Sequence, residues 1–248
     1  MPFGKLSVEA NAVPAFAPPY LNKTHEFSDI TVVSISYRVT RASVEKLVPD
    51  VLELEEEPLV SCVFLDYGMS TVGSYKEFVQ QVEVTYQGTK YNHPLVLILD
   101  NEAAIFAGRE VFGYPKVFGK TVIEASTGSR PILGRAERPL GREMVAFEFL
   151  PEQRIAAGTL PPPPVQQSLN LRVIPASVPG GPPAVREFVP VSMEFEMKDV
   201  WLGQGHISFP RTSALDPWAN VEILRYESAF YTTGASAVLR DPTKTYPF

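Results

Sequence analysis

At 248 residues, 45% hydrophobic and 20% charged, the chain has ample apolar surface for a core, which excludes wholesale disorder. Its formal net charge of -6, with Lys and Arg scattered, gives no basic stripe to grip a phosphate backbone or an anionic bilayer, so neither nucleic acid nor membrane is an expected partner. Cys62 is the only cysteine, which excludes an intrachain disulfide and any metal site built on cysteines.

Residues 1–10 show no basic segment leading into an apolar run. No apolar stretch approaches the roughly 20 residues that span a bilayer, so a soluble, cytoplasmic protein is expected. A proline cluster at 14–19 reads as an irregular connection, because proline lacks the ladder donor and fixes φ. Residues 31–39, rich in β-branched side chains, predict a strand. Residues 40–48 predict a short helix, with Thr40 as its cap, Val44, Leu47 and Val48 on one face, and Pro49 as its end. Strands are predicted over 59–65, 78–86 and 91–99, the last two joined by a Gln87-Gly88 turn. A helix is predicted over 101–112 with Asn101 as cap. Further strands follow over 121–125, 132–136, 144–149 and 168–174, in a long stretch over 184–202, and over 221–231. One or two helical turns are predicted within 209–220. Pro161 to Pro164 and the loose run 175–183 read as loops inside one domain spanning 1–248. Many short strands separated by turns, without regular alternation with long helices, predict a mainly β fold, a sandwich or barrel.

The segment 99–118 carries the chemistry. Phe112, Tyr114, Val117 and Phe118 flank Lys116. If that cluster is buried, desolvation disfavours the ammonium. A neutral amine can then attack a ketone, and the protonated imine that forms is an electron sink. The competing reading is a turn with a solvated lysine, and on these residues alone it is preferred, because most lysines are exposed. Gly113 to Thr121 superficially resembles a phosphate-binding loop. The glycine spacing is wrong, Pro115 removes an amide donor, and a strand follows where a helix is required, so that motif is rejected. No Gly-x-Ser-x-Gly elbow is present. His25, His93 and His206 lie far apart with no ligand spacing, so no metal is expected. His206 reads as a loop residue, and Trp201 and Trp218 as core or interface residues.

Asp100-Asn101-Glu102-Ala103-Ala104-Ile105, then Gly108-Arg109-Glu110, then Tyr114-Pro115-Lys116 resemble the signature of the acetoacetate decarboxylase superfamily. Weaker similarity runs from Tyr37-Arg38 through Pro58-Leu59-Val60 and Tyr75 to Glu77, and on to residues 171–175. The resemblance implies an antiparallel β-barrel or double barrel with a few short helices, usually oligomeric, and a Schiff base on Lys116. It also shows departures. Where family decarboxylases carry a second lysine, Val117 follows Lys116. The arginine of the first strand falls at Ile30 and the first pocket glutamate at Val63, while the second is kept as Glu77. Losing the groups that handle a leaving carboxylate favours an aldolase-dehydratase acting on pyruvate and an aldehyde, as in some superfamily members. Glu77 and Tyr75 are the candidate acid and base. Arg109 is a candidate binder of a substrate carboxylate, Arg109 and Glu110 are candidate supports of the Lys116 loop, and Phe112, Tyr114 and Val63 are candidate lining residues. A β-keto acid decarboxylase and a noncatalytic barrel lined by Phe106, Phe112 and Phe118 are the rival readings. The expected partners are a small keto acid, an aldehyde and further copies of the chain. No cofactor is expected, because the imine is the electron sink.

Overall fold

The computed structural model describes residues 1, 3–7, 12–124, 131–159 and 167–248. The strands in chain order are β1 (His25–Val39), β2 (Leu59–Ser70), β3 (Tyr75–Tyr86), β4 (Thr89–Leu99), β5 (Lys116–Phe118), β6 (Lys120–Glu124), β7 (Ile132–Glu137), β8 (Glu143–Ala156), β9 (Gln167–Ile174), β10 (Val185–Glu196), β11 (Asp199–Ser208), β12 (Ile223–Leu239) and β13 (Tyr246–Pro247). Helix α1 (Arg41–Val44) runs into a 3-10 turn at Glu45–Leu47, and α2 (Glu102–Glu110) precedes β5. No helix among the described residues is long and apolar enough to cross a membrane.

Hydrogen-bonded neighbours run β12-β1-β2-β3-β4-β9-β10, and β10 pairs again with β12 from Met193↔Leu239 to Glu196↔Ser236, which closes a barrel. From β12 the sheet continues through β11, β8, β7 and β6 and folds back, so that β6 packs over β2, β3 and β4. The strands β1 to β4 thus have a core on each face. In β1, Val33, Ile35, Tyr37 and Val39 join Cys62, Phe64, Phe78 and Met144 in the larger core. The alternate residues Ile30 and Val32 join Leu65, Tyr67, Leu97, Leu99, Phe112, Val189 and Val191 inside the closed barrel. Burial on both faces explains why the alternation in the sequence is only partial, since such a strand needs apolar residues on either side. The double-barrel expectation therefore holds.

The details correct several boundaries. Thr40 does not cap its helix through its side chain, because Thr40 Oγ1 donates to Glu222 Oε2 at 3.1 Å instead, and the α-helical part is one turn long. The segment before Asn220 holds a single 3-10 turn at Pro217–Ala219. The stretch 184–202 splits into β10 and β11 at Met197 and Lys198. β12 runs on to Leu239 through a bulge at Gly234, whose φ of +65° suits glycine, because β1 and β10 both pair with its far end. Trp218 is core, while Trp201 is 37% exposed. Pro161 to Pro164 and Ala125 lie outside the described residues.

Two histidines are buried with their charge disfavoured. His93 Nδ1–H donates to the Leu169 carbonyl at 2.8 Å, and burial lowers the pKa of the ring below 6.5. Burial also lowers that of His25, with Lys116 adding repulsion. Both groups bind fewer protons folded than unfolded, so their contribution to stability is complete above pH 6.5 and is lost as pH falls below it. The urea midpoint is expected to drop between pH 7.5 and pH 5, and His93→Gln to flatten that drop. An unchanged pH slope in the variant would refute the assignment.

Candidate active site

Lys116 arrives at the barrel interior through a short, tightly held connection. Asn101 caps α2 by accepting from the Ala104 N–H at 2.8 Å, as its position predicts. The chain leaves the helix through Gly113 at φ +72°, where a Cβ would lie 2.8 Å from Arg172 Cβ. Tyr114 N–H donates to the Gly108 carbonyl at 2.9 Å, and Lys116 N–H to the Tyr114 carbonyl at 2.8 Å. β5 then adds to β4 in parallel, Leu97 opposite Lys116. It uses the edge that β9 leaves free, since β9 touches β4 only at Asn92↔Ser168. This placement sends Lys116 to the same side as Leu97, into the barrel, while Val117 packs against the other core.

Strand β9 holds the connection at alternate positions. Arg172 Nε donates to the Glu110 carbonyl at 2.6 Å, Asn170 Nδ2 to the Phe112 carbonyl at 2.8 Å, and Ser168 Oγ lies 3.2 Å from Tyr114 Oη. Arg109 Nη1 donates to the Lys116 carbonyl at 3.0 Å. Gly108 gives the lysine its path: a Cβ there would fall 2.5 Å from Lys116 Cδ and 2.6 Å from Cε.

Lys116 is 7% exposed, and its Nζ stands 2.8 Å from Glu77 Oε1 on β3. The pair is close in distance but lacks hydrogen-bond alignment. Glu77 Oε2 accepts from Tyr67 Oη at 3.4 Å. The rings of Tyr75 and Tyr114 flank Nζ, each centroid 5.7 Å away. Burial, reinforced by the Glu77 charge, holds the Tyr67 and Tyr75 phenols well above their ordinary range. Burial pushes Tyr114 up to about 12. All three are therefore hydroxyl donors near neutrality. The arrangement provides one primary amine, one carboxylate within proton-transfer reach and three phenols in an apolar surround, and the few charges it holds act strongly there. Among the described residues no His/Cys/Asp/Glu group is placed to hold a metal ion.

The residues expected from the sequence divide into two sets. Lys116, Glu77, Tyr75 and Tyr114 come together, with Phe112, 2% exposed, packed behind them. Val63, in the row Val63↔Val79↔Leu97↔Lys116, and Ile30 pack in the same apolar cluster. Arg109 and Glu110 do not face that cluster with their charges: Arg109 is engaged with backbone, and Glu110 Oε2 accepts from Tyr20 Oη at 2.6 Å. Phe106 is 38% and Phe118 59% exposed, so neither lines the interior. Thr121 of the rejected phosphate-loop motif donates to the Ile98 carbonyl at 2.9 Å within β6. Tyr67, Ser168 and Asn170 were not anticipated. The polar alternation Ser168-x-Asn170-x-Arg172 in an otherwise apolar strand was the available signal, since a period of two places all three on one face.

The family model for acetoacetate decarboxylase matches residues 12–243. Decarboxylase DEC1 of Cochliobolus heterostrophus is 41% identical over 231 residues, covering 91% of this chain and 90% of that protein. Among solved structures, an acetoacetate decarboxylase superposes with a TM-score of 0.85 at 20% identity over 97% of each chain. The enduracididine biosynthesis enzyme MppR, complexed with the condensation product of pyruvate and imidazole 4-carboxaldehyde, superposes with a TM-score of 0.79 at 17% identity over 98% of each chain. At such identities the structural likeness speaks for the fold.

Proposed function

Since the chain belongs to the acetoacetate decarboxylase family, we propose that it is a lyase in which Lys116 forms a Schiff base with a small keto acid, and that the imine serves to decarboxylate a β-keto acid. The observation that carries this reading is the buried Lys116 Nζ 2.8 Å from Glu77 Oε1. Glu77 takes a proton from Nζ, and the free amine attacks the ketone carbon. Loss of water gives the protonated imine. The bond to the carboxylate breaks, its electron pair passes to the imine nitrogen, and carbon dioxide leaves. The enamine carbon then takes a proton, and water hydrolyses the imine to release the ketone and the amine. Tyr67, which donates to Glu77 Oε2 at 3.4 Å, orients that carboxylate, and Tyr75, also held as a neutral phenol, is a donor beside Nζ as charge moves. The reaction needs no cofactor, because the imine accepts the electron pair. Decarboxylation is preferred over aldol chemistry because a decarboxylase is 41% identical over nearly the whole chain.

A second reading, aldol condensation and dehydration, draws support from the resemblance, which matches Ile30 and Val63, both in the apolar cluster, to the carboxylate-handling arginine and glutamate of family decarboxylases. The MppR structure places a pyruvate condensation product on a similar fold. Homo-oligomerisation and a cytoplasmic setting belong to the same proposal; exposed Leu133, Leu150 and Trp201 on β7, β8 and β11 offer apolar surface for a second copy.

Borohydride trapping tests both readings. The protein is incubated with pyruvate, acetoacetate or longer β-keto acids, reduced, and digested for mass spectrometry, with carbon dioxide followed in parallel. The expected result is a reduced adduct on the Lys116 peptide and carbon dioxide from a β-keto acid. An unsaturated keto acid from pyruvate plus an aldehyde, without carbon dioxide release, would select the second reading. No adduct on Lys116 with any keto acid would leave a noncatalytic binding barrel.

A further inference from the structure

Asn170 is fully buried, and its two amide ends are treated differently by the fold. Nδ2 donates to the Phe112 carbonyl at 2.8 Å. That contact needs a donor, so it fixes which end of the amide is nitrogen. Oδ1 is the other end of the amide, and it has no hydrogen-bond partner among the described residues. A buried acceptor left unmet is costly, and native structures rarely keep one without a use. The position of Asn170 matters as much. It pairs with Val189 on β10, and Val189 belongs to the apolar cluster that contains Tyr75, Phe112 and the Lys116-facing Leu97. Its neighbour on the same face of β9, Ser168, lies 3.2 Å from Tyr114 Oη, and the Tyr114 ring borders Lys116 Nζ. Asn170, Ser168 and Tyr114 therefore form a polar strip on the wall of the interior that holds the amine.

We infer that Asn170 is a specificity-determining residue whose Oδ1 accepts a hydrogen bond from a hydroxyl on the substrate, so that the natural keto acid carries a hydroxyl group beyond its ketone and carboxylate. The inference rests on Schiff-base formation at Lys116. The chemistry of the strip selects the ligand class. Oδ1 can only accept, so neither a ketone oxygen nor a carboxylate satisfies it. An ammonium would satisfy it, at the cost of a second positive charge in a dry site beside Lys116. A hydroxyl meets Oδ1 as donor without adding charge to the site. Phenol protonation is secure, because burial keeps Tyr114 neutral.

The test compares 5-hydroxy-3-oxohexanoate, its 5-methoxy ether and 3-oxohexanoate, reading the concentration that half-saturates borohydride-trapped adduct on Lys116. The intact protein is expected to favour the hydroxy acid about tenfold over the other two, the effect of leaving one buried acceptor unmet. Asn170→Leu, similar in size and unable to accept, is expected to abolish that preference while still forming the adduct with 3-oxohexanoate. A purely structural role would weaken all three ligands together and leave their ratio unchanged. Equal half-saturation by the three ligands in the intact protein, or a preference that survives Asn170→Leu, would overturn the inference. Should the variant fail to fold, the two non-donors decide: the ether lacks the donor and is larger, 3-oxohexanoate lacks it and is smaller, so a preference for the alcohol over both supports the inference and a preference shared by ether and alcohol overturns it. Absence of any adduct with all three ligands would instead count against the Schiff base itself, and the inference would fall with it.

Discussion

Lys116→Met is expected to abolish the borohydride adduct and to lower kcat by on the order of 10^6-fold, the scale seen when a covalent nucleophile is removed. Methionine keeps the length and apolar contacts of the lysine stem, so a failure of packing does not explain the loss. The variant has a second consequence. Lys116 and Glu77 are both almost wholly buried, and their charges are 2.8 Å apart. Removing one partner strands the other, which costs about 3–5 kcal/mol for a buried pair. The single variant is therefore expected to unfold at clearly lower urea. Lys116→Met combined with Glu77→Gln should regain much of that stability and none of the activity. Measured activity in the single variant, or a double variant no more stable than the single one, would contradict the placement of this pair.

Gly108→Ala should disturb the same pair without removing either charge. Gly108 is inside α2, where alanine is favoured over glycine by about 1 kcal/mol. The added methyl would lie 2.5 Å from Lys116 Cδ and 2.6 Å from Cε, too close for any real contact. The obstacle is a flexible side chain, so the lysine swings aside. Its Nζ then leaves Glu77 and the position between Tyr75 and Tyr114. Misplacement of a reacting group by about 1 Å costs about 10^2-fold. The expected outcome is adduct formation slowed about a hundredfold together with a lower melting temperature, because the buried Glu77 that Nζ leaves outweighs the gain in helix propensity. Parent-like trapping rates in Gly108→Ala would show that the lysine does not take the path over this glycine.

These two substitutions also show how much of the site could be read in one dimension. The motif 108–116 is contiguous, and its glycines, proline and lysine act on one another within nine residues. The Asn101 cap is equally local, since a side chain reaches an N–H three residues on. Most strands were visible for the same reason, because β-branched runs and glycine-containing turns act over a few residues. Their ends were not. β12 continues past Tyr231 because β1 and β10 supply partners for its far half, and nothing in its own residues announces them.

By itself, then, the sequence determined a mainly β chain with little helix, a lysine on a tight turn after a capped helix, and a carboxylate at Glu77 on a strand. Each follows from torsional preference, hydrogen bonding or hydrophobic pattern over a short span. Only the tertiary structure decided that Glu77 meets Lys116, that Arg109 and Glu110 serve the backbone and the N-terminal segment, and that Asn170 faces the interior with a free acceptor. The reason is register. β5 docks on β4 at the seam where β9 diverges, and closure of the barrel through β10 and β12 sets which faces look inward. A one-residue slip in any of those pairings would turn these side chains to the opposite face, and pairing between strands far apart in the chain is a property of the assembled sheet.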